Sequence, residues 1–270
     1  MKKFYVITNQ TKDKSLEITY QIKNYIEEHG KECFLAAENN VVPEDVDCIL
    51  VLGGDGTLIR AARELRACDV PLLGINMGTL GYLTEAEVGS IEESLDCLMK
   101  GETHVEARMM LKGVVNGDIE DVALNDIVLT RSGMLHIIEY NIYVNGELLN
   151  TYHADGVIVS TPTGSTAYNL SAGGPIVKPT ATMIVITPIC SHALNTSSIV
   201  LSAEDEIVLE IGKGRDGGIE EAEVFFDGER SVAVRTGDRI VIQKAEDTTK
   251  LLKLSRVSFL EILRKKMKGN

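Results

Sequence analysis

The chain has 270 residues, 44% of them apolar and 25% charged, which suits one large domain or two modest ones with real cores. Its formal net charge of −13 speaks against general binding to nucleic acid or to anionic membranes. A polyanionic small ligand is still compatible, because a local nest of backbone N–H groups binds phosphate even inside an acidic protein.

Lys2-Lys3 before Phe4-Tyr5-Val6-Ile7 hints at a signal peptide, but Thr8-Asn9-Gln10 ends the apolar run too early, and no run reaches bilayer length. Phe4 to Thr8 reads instead as a short strand. Ile18, Ile22, Tyr25 and Ile26 then follow at helical spacing, with Gly30 as the stop. Residues 32–35 and 48–52 read as strands, the second a continuous apolar run. Leu58, Ala61, Ala62 and Leu65 mark a helix, residues 70–75 another buried strand, and Ile91, Leu95, Leu98 and Met99 a helix closing at Gly101. Alternating strands and helices predict an α/β unit with a largely parallel sheet, whose ligands sit at the carboxyl ends of the strands.

The pattern changes after residue 102. Asn116-Gly117, Asn145-Gly146 and Asp227-Gly228 lie between β-rich runs, a strong hairpin signal. Strands are expected at 140–144, 147–152, 156–160, 183–187, 206–211, 231–235 and 239–244, giving two packed antiparallel sheets. A helix over 257–267 with a basic end closes the chain. The five cysteines (Cys33, Cys48, Cys68, Cys97 and Cys190) hold no Cys-x-x-Cys pair and read as reduced, mostly buried thiols of a cytoplasmic protein. His29, His104 and His136 are isolated, and no zinc spacing is present.

Three segments carry chemistry. In the first, Gly53-Gly54-Asp55-Gly56-Thr57 joins a buried strand to a helix, so N–H groups and the helix start can cradle phosphate. It is neither a Walker A loop nor a dinucleotide fingerprint. Asp55 reads either as a solvated turn residue or as a base within a glycine nest, as phosphoryl transfer to a hydroxyl requires. In the second, residues 155–175, a buried strand runs into a Ser/Thr-dense loop ending in Tyr168, which can stack on an adenine. The bland alternative is a polar loop capping a short helix. In the third, Asn125-Asp126 interrupts an apolar run, either as a strand-end turn or as a pair that hydrogen-bonds adenine and ribose.

Taken together these segments resemble the NAD kinase family, over essentially the whole chain and in family order. The glycine turn alone is shared with diacylglycerol and sphingosine kinases and with phosphofructokinases. Asn76-Met77-Gly78-Thr79-Leu80-Gly81-Tyr82-Leu83, Arg108 and Thr161-Pro162-Thr163-Gly164-Ser165-Thr166-Ala167-Tyr168 add the specificity. Position 126 is Asp where the family commonly has Glu, and Ser197-Ser198 replace a frequent Arg-Pro.

The resemblance implies an α/β domain (1–102), a β-sandwich NAD-binding domain (103–254) and a final helix (255–270) returning to the first domain. It implies transfer of a phosphoryl group from ATP, another triphosphate or polyphosphate to the adenosine ribose 2′-hydroxyl of NAD. Asp55 would accept the hydroxyl proton, with Gly56 beside it and Arg60 near the substrate phosphates. Gly53, Gly54, Gly56 and Thr57 would hold phosphate. Asn125 and Asp126 would contact the adenosine and nicotinamide portions. Thr166, Ala167, Tyr168, Asn169, Leu170 and Ser171 would bind adenine. His153 and Asp155 would reach the nicotinamide end, and Cys190 would line the ligand. A divalent ion, Mg2+, would arrive on the donor rather than in a protein cage, and a homodimer or homotetramer with sites near the subunit interface is implied. The rival readings are a diacylglycerol-type lipid kinase and a non-catalytic nucleotide sensor.

Overall fold

The computed structural model describes residues 1–39, 41–78, 81–133, 137–193, 197–214, 217–254 and 258–268. Thr79, Leu80, His136 and the first residue expected of the last helix, Val257, therefore lie outside the described residues. The chain forms two compact units, Met1–Arg108 with Thr249–Asn270, and Met109–Thr248.

The first unit begins with β1 (Lys3–Thr8), α1 (Glu17–Glu28), β2 (Glu32–Leu35), β3 (Cys48–Gly53), α2 (Asp55–Glu64), β4 (Leu72–Asn76), β5 (Ala86–Glu87) and α3 (Ile91–Lys100). β1 pairs in parallel with β2 and β3, β3 with β4, and β4 with β5. Every residue of β3 and β4 is buried, as a parallel sheet covered on both faces demands. Phe4, Val6, Leu50, Leu52 and Ile75 pack with Ile22 and Ile26 of α1 and with Leu95 and Leu98 of α3. Gly101 closes α3 at φ 77°, the left-handed cap that glycine adopts without strain.

β6 (His104–Val115) carries the chain into the second unit, which contains β7 (Ile119–Ala123), β8 (Asp126–Arg131), β9 (Ile138–Val144), β10 (Glu147–Ala154), β11 (Gly156–Ser160), α4 (Tyr168–Ser171), β12 (Met183–Ile189), β13 (Ile199–Ser202), β14 (Ile207–Ile211), β15 (Glu221–Phe226) and β16 (Arg230–Arg235). β17 (Arg239–Lys253) and α5 (Phe259–Met267) complete the chain. One antiparallel sheet has the order β13-β12-β11-β8-β15-β16; the other holds β10-β9-β14-β17, with β6 paired to β17 and β7. Leu129, Val157, Val159, Ile186, Val224 and Phe226 of the first sheet meet Tyr140, Ile142, Ile207, Leu209, Ile240 and Ile242 of the second in one core. Alternate residues of β9 and β14 face that core, the period-two signature of a half-buried strand.

The three hairpin dipeptides behave as their chemistry requires. Asn116-Gly117, Asn145-Gly146 and Asp227-Gly228 all take positive φ at both positions, the type I′ geometry that matches strand twist. β17 is longer than expected. It pairs antiparallel with β14 from Arg239 to Ile242, yet continues to Leu251, which pairs in parallel with Leu72 of β4. Ala245, Thr249, Leu251 and Leu252 are buried, so the strand persists through the charged stretch in which an end was expected. β13, a short edge, lies outside the expected strands, whereas β15, the run before the Asp227-Gly228 hairpin, forms although it opens with Glu-Ala-Glu, a helix-favouring triplet.

Ser258 caps α5 by accepting the Glu261 N–H at 3.2 Å, and three basic residues fill its last turn. The Lys266 ammonium stands 4.6 Å from the centre of the Tyr82 ring. The expectation of mostly buried cysteines is corrected: Cys33 and Cys48 are buried, but Cys68 and Cys190 are exposed. Among the described residues no helix is long and apolar enough to cross a membrane.

Candidate active site

In the first unit the turns after β1, β3 and β4 lie side by side, because these strands are parallel neighbours. β3 ends at Gly53, Gly54 is the extended cap, and Asp55 is the first residue of α2. The Asp55 carboxylate accepts the backbone N–H of Tyr82 at 2.7 Å on Oδ2, and those of Leu83 at 3.1 Å and Thr84 at 3.3 Å on Oδ1. A carboxylate offers about four lone-pair sites, so among the described residues Oδ2 keeps one for another proton. Gly81 makes this approach possible, since a Cβ there would collide with Asp55 Oδ1 and stand 2.7 Å from Thr84 Oγ1.

The neighbouring turns are tied in. Asn9 donates through Nδ2 to the buried Thr57 hydroxyl at 3.1 Å and through its backbone N–H to Leu52 at 2.9 Å. Met77 N–H donates to the Gly53 carbonyl at 2.8 Å. Gly56 is exposed, as is Arg60, five residues beyond Asp55 on α2. Asn76 Oδ1 and Thr84 Oγ1 are buried and lack a partner among the described residues, a state that a ligand or water ordinarily relieves.

The second unit repeats the device with a different carboxylate. Asp227, at φ 51° in the turn between β15 and β16, accepts the N–H groups of Leu124 (2.8 Å), Asn125 (2.7 Å) and Asp126 (3.2 Å). This fixes the Asn125-Asp126 turn at the start of β8. Asp126 is itself buried, and desolvation together with the charge of Asp227 raises its pKa to about 7. The loop after β11 is laid on the same turn. Thr161 donates its N–H to Asn125 O at 2.8 Å and its hydroxyl to Leu124 O at 2.6 Å. A Cβ at Gly164 would come within 2.7 Å of Asn125 Cα, so only glycine lets the two segments meet this closely.

Along the expected adenine-binding run, Thr166 and Ala167 are half-buried, while Tyr168, Leu170 and Ser171 are exposed. Asn169 differs. It is fully buried, its amide donates to Ser165 O (3.1 Å) and Pro175 O (3.0 Å), and its Oδ1 accepts the Thr187 hydroxyl at 2.7 Å. That side chain is spent on holding the loop.

His153, Asp155 and Cys190 form a further group, because β11 pairs with β12 and β10 leads into β11. His153 is exposed, 3.5 Å from Glu139 Oε2, and its carbonyl accepts the His192 N–H at 3.0 Å. Asp155 N–H donates to Ile189 O at 3.0 Å, and its carboxylate accepts Arg131 Nε at 3.0 Å. Cys190 has φ 47°, a strained backbone for a residue with a Cβ, and lines a cavity of about 740 Å³ with Thr187 and Ser198. Gly53, Gly54, Asp55, Gly56, Thr57 and Arg60 thus belong to the first unit, and the other expected site residues to the second. Sequence reasoning missed Asp227, read only as a hairpin residue, and Arg131, for which the sequence holds no signal.

A carboxylate fixed beside glycine turns, and elsewhere a Ser/Thr loop laid on an Asn-Asp turn, suit a phosphotransferase acting on a nucleotide, and comparison with known proteins shows that class. Profiles of the ATP-NAD kinase N-terminal and C-terminal domains match residues 7–103 and 124–254. An NAD kinase of Lachnospira eligens is 48% identical, with 99% of this chain and 100% of that protein covered. One from Agathobacter rectalis is 49% identical, with 100% and 99% covered. The crystal structure of an NAD kinase from Archaeoglobus fulgidus in complex with ATP is similar at TM-score 0.81 and 27% identity, covering 99% of each chain. Yeast NADH kinase complexed with NADH shares the fold at TM-score 0.81 and 23% identity, with 100% of this chain and 88% of that one covered. The chain belongs to the NAD kinase family, and its reaction is the phosphorylation of NAD to NADP.

Proposed function

We propose that ATP, or another triphosphate or polyphosphate, is the donor, and that Asp55 takes the proton from the adenosine ribose 2′-hydroxyl of NAD as that oxygen attacks the terminal phosphorus. The bond from that phosphorus to the bridging oxygen breaks, ADP leaves with the electron pair, and the proton rests on Asp55. The observation that carries this reading is the Asp55 geometry: three N–H donors hold the carboxylate at a glycine turn, and among the described residues one lone pair of Oδ2 is open.

In this reading Gly53, Gly54, Gly56 and Thr57 hold phosphate, and Arg60 offers its charge along α2. Asn125 and Asp126 contact the adenosine and nicotinamide portions, Asp126 able to donate a proton because burial keeps it partly neutral near pH 7. Thr166, Ala167, Tyr168, Asn169, Leu170 and Ser171 form the adenine-binding segment, Asn169 through its backbone, and His153, Asp155 and Cys190 serve the nicotinamide end. Among the described residues no three His, Cys, Asp or Glu side chains gather as a metal cage, so a divalent ion, Mg2+, would enter on the donor phosphates. The working division is an α/β domain over 1–102, a NAD-binding sandwich over 103–254 and a closing helix, in a cytoplasmic homodimer or homotetramer.

The test is NADP formation by the purified protein with NAD or NADH against ATP and polyphosphate. Turnover with NAD and ATP supports the reading, and none with any donor contradicts it. Thermal stabilisation by NAD separates it from a lipid kinase, which would show none.

A further inference from the structure

We propose that Lys12 binds the phosphates of the donor, as the cationic arm of the phosphate subsite in the first unit. The inference rests on the donor reading above and adds a residue to it. Lys12 lies in the turn after β1, where its N–H donates to Asn9 O at 2.9 Å. Asn9 is pinned on both sides: its Oδ1 accepts the Thr11 N–H (3.0 Å) and hydroxyl (2.7 Å), and its Nδ2 donates to Thr57. Asp13, the next residue, is buried and accepts the Thr19 N–H at 2.9 Å and hydroxyl at 2.7 Å. The backbone of Lys12 is therefore held against the start of α2.

Its ammonium reaches across two glycine turns. Nζ lies 3.3 Å from where a Cβ of Gly54 would be, and 3.5 Å from where a Cβ of Gly78 would be. Gly54 precedes α2 and Gly78 follows β4, so the charge stands beside the glycine turns at two adjacent strand ends.

The Asp55 carboxylate is turned to residues 82–84, and among the described residues no carboxylate comes within ion-pair distance of Lys12 Nζ. In a chain of net charge −13, an ammonium beside two glycine turns, with no carboxylate partner among the described residues, is a built preference for a polyanion. Lysine suits the task as a compact point charge that several phosphate oxygens can share.

The test compares wild type, Lys12→Gln and Lys12→Arg in initial rates with ATP and NAD varied separately, and in thermal shifts with inorganic tripolyphosphate. Lys12 is exposed, so both variants are expected to melt with the wild type in the absence of ligand. Lys12→Gln should raise the KM for ATP about 10- to 100-fold and lose most of the tripolyphosphate shift, with the KM for NAD within about twofold. Lys12→Arg should recover most of both. An ATP KM and a tripolyphosphate shift unchanged in Lys12→Gln would overturn the proposal. Should wild type form no NADP, the donor reading fails on its own, and the tripolyphosphate shift still decides on Lys12.

Discussion

Asp55 and Asp227 use one device in two units. Each carboxylate collects three consecutive backbone N–H groups, residues 82–84 in one case and 124–126 in the other, at 2.7–3.3 Å. Their surroundings differ. Both are half-exposed, but Asp55 opens a helix after a glycine turn, whereas Asp227 sits in a left-handed hairpin position beside the buried Asp126. Three N–H bonds by themselves therefore mark a held turn and not a reactive group. What singles out Asp55 is its place at the start of a helix, beside glycine turns suited to phosphate.

The largest effect that would break this contrast is in turnover. Asp55→Asn should lower kcat about 10²- to 10⁴-fold while the thermal shift with NAD persists. If Asp55 were structural in the manner of Asp227, stability and KM would change and kcat would stay near normal. Gly81→Ala comes next, because its methyl meets Asp55 Oδ1 and must push the carboxylate out of line. We expect kcat to fall about 10- to 100-fold with the far-ultraviolet spectrum unchanged.

Asp227→Ala should show the opposite profile. Stranding three N–H groups costs about 2–5 kcal/mol in a urea melt and raises the KM for NAD, with kcat within about threefold. The smallest effect concerns pH. Asp126 has a folded pKa near 7, above its ordinary carboxylate value, so its favourable contribution is full below about pH 4 and is lost as pH rises through 7. Asp126→Asn removes that loss. Its melting temperature relative to wild type should rise by a few degrees between pH 5 and pH 8, whereas a constant difference would place Asp126 in a solvated setting.

The same contrast shows what the sequence can express. Hairpin dipeptides, buried strands and amphipathic helices are local, and Asn145-Gly146 or Ile22-Ile26 spell them directly. The neighbourhood of Asp55 is only half local. Gly53 to Thr57 is visible as a strand-to-helix turn, but the N–H groups that orient Asp55 are backbone atoms 27 to 29 residues away, which no side chain announces. Gly81 is the one letter that hints at them. Asp227 is concealed for a related reason: Asp before Gly already satisfies the turn, so its second task leaves no separate mark. Arg131 meets Asp155 only because β8 pairs with β11, a register unreadable from either strand alone. Asn169 shows the reverse, a polar residue in a ligand-like run whose side chain is consumed inside the protein.

The most direct measurement is single-turnover phosphoryl transfer from ATP to NAD, both saturating, in wild type, Asp55→Asn and Asp227→Asn. The account predicts normal transfer in wild type, near-normal transfer in Asp227→Asn, and transfer slowed at least about 100-fold in Asp55→Asn. Transfer by Asp55→Asn at close to the wild-type rate would contradict it.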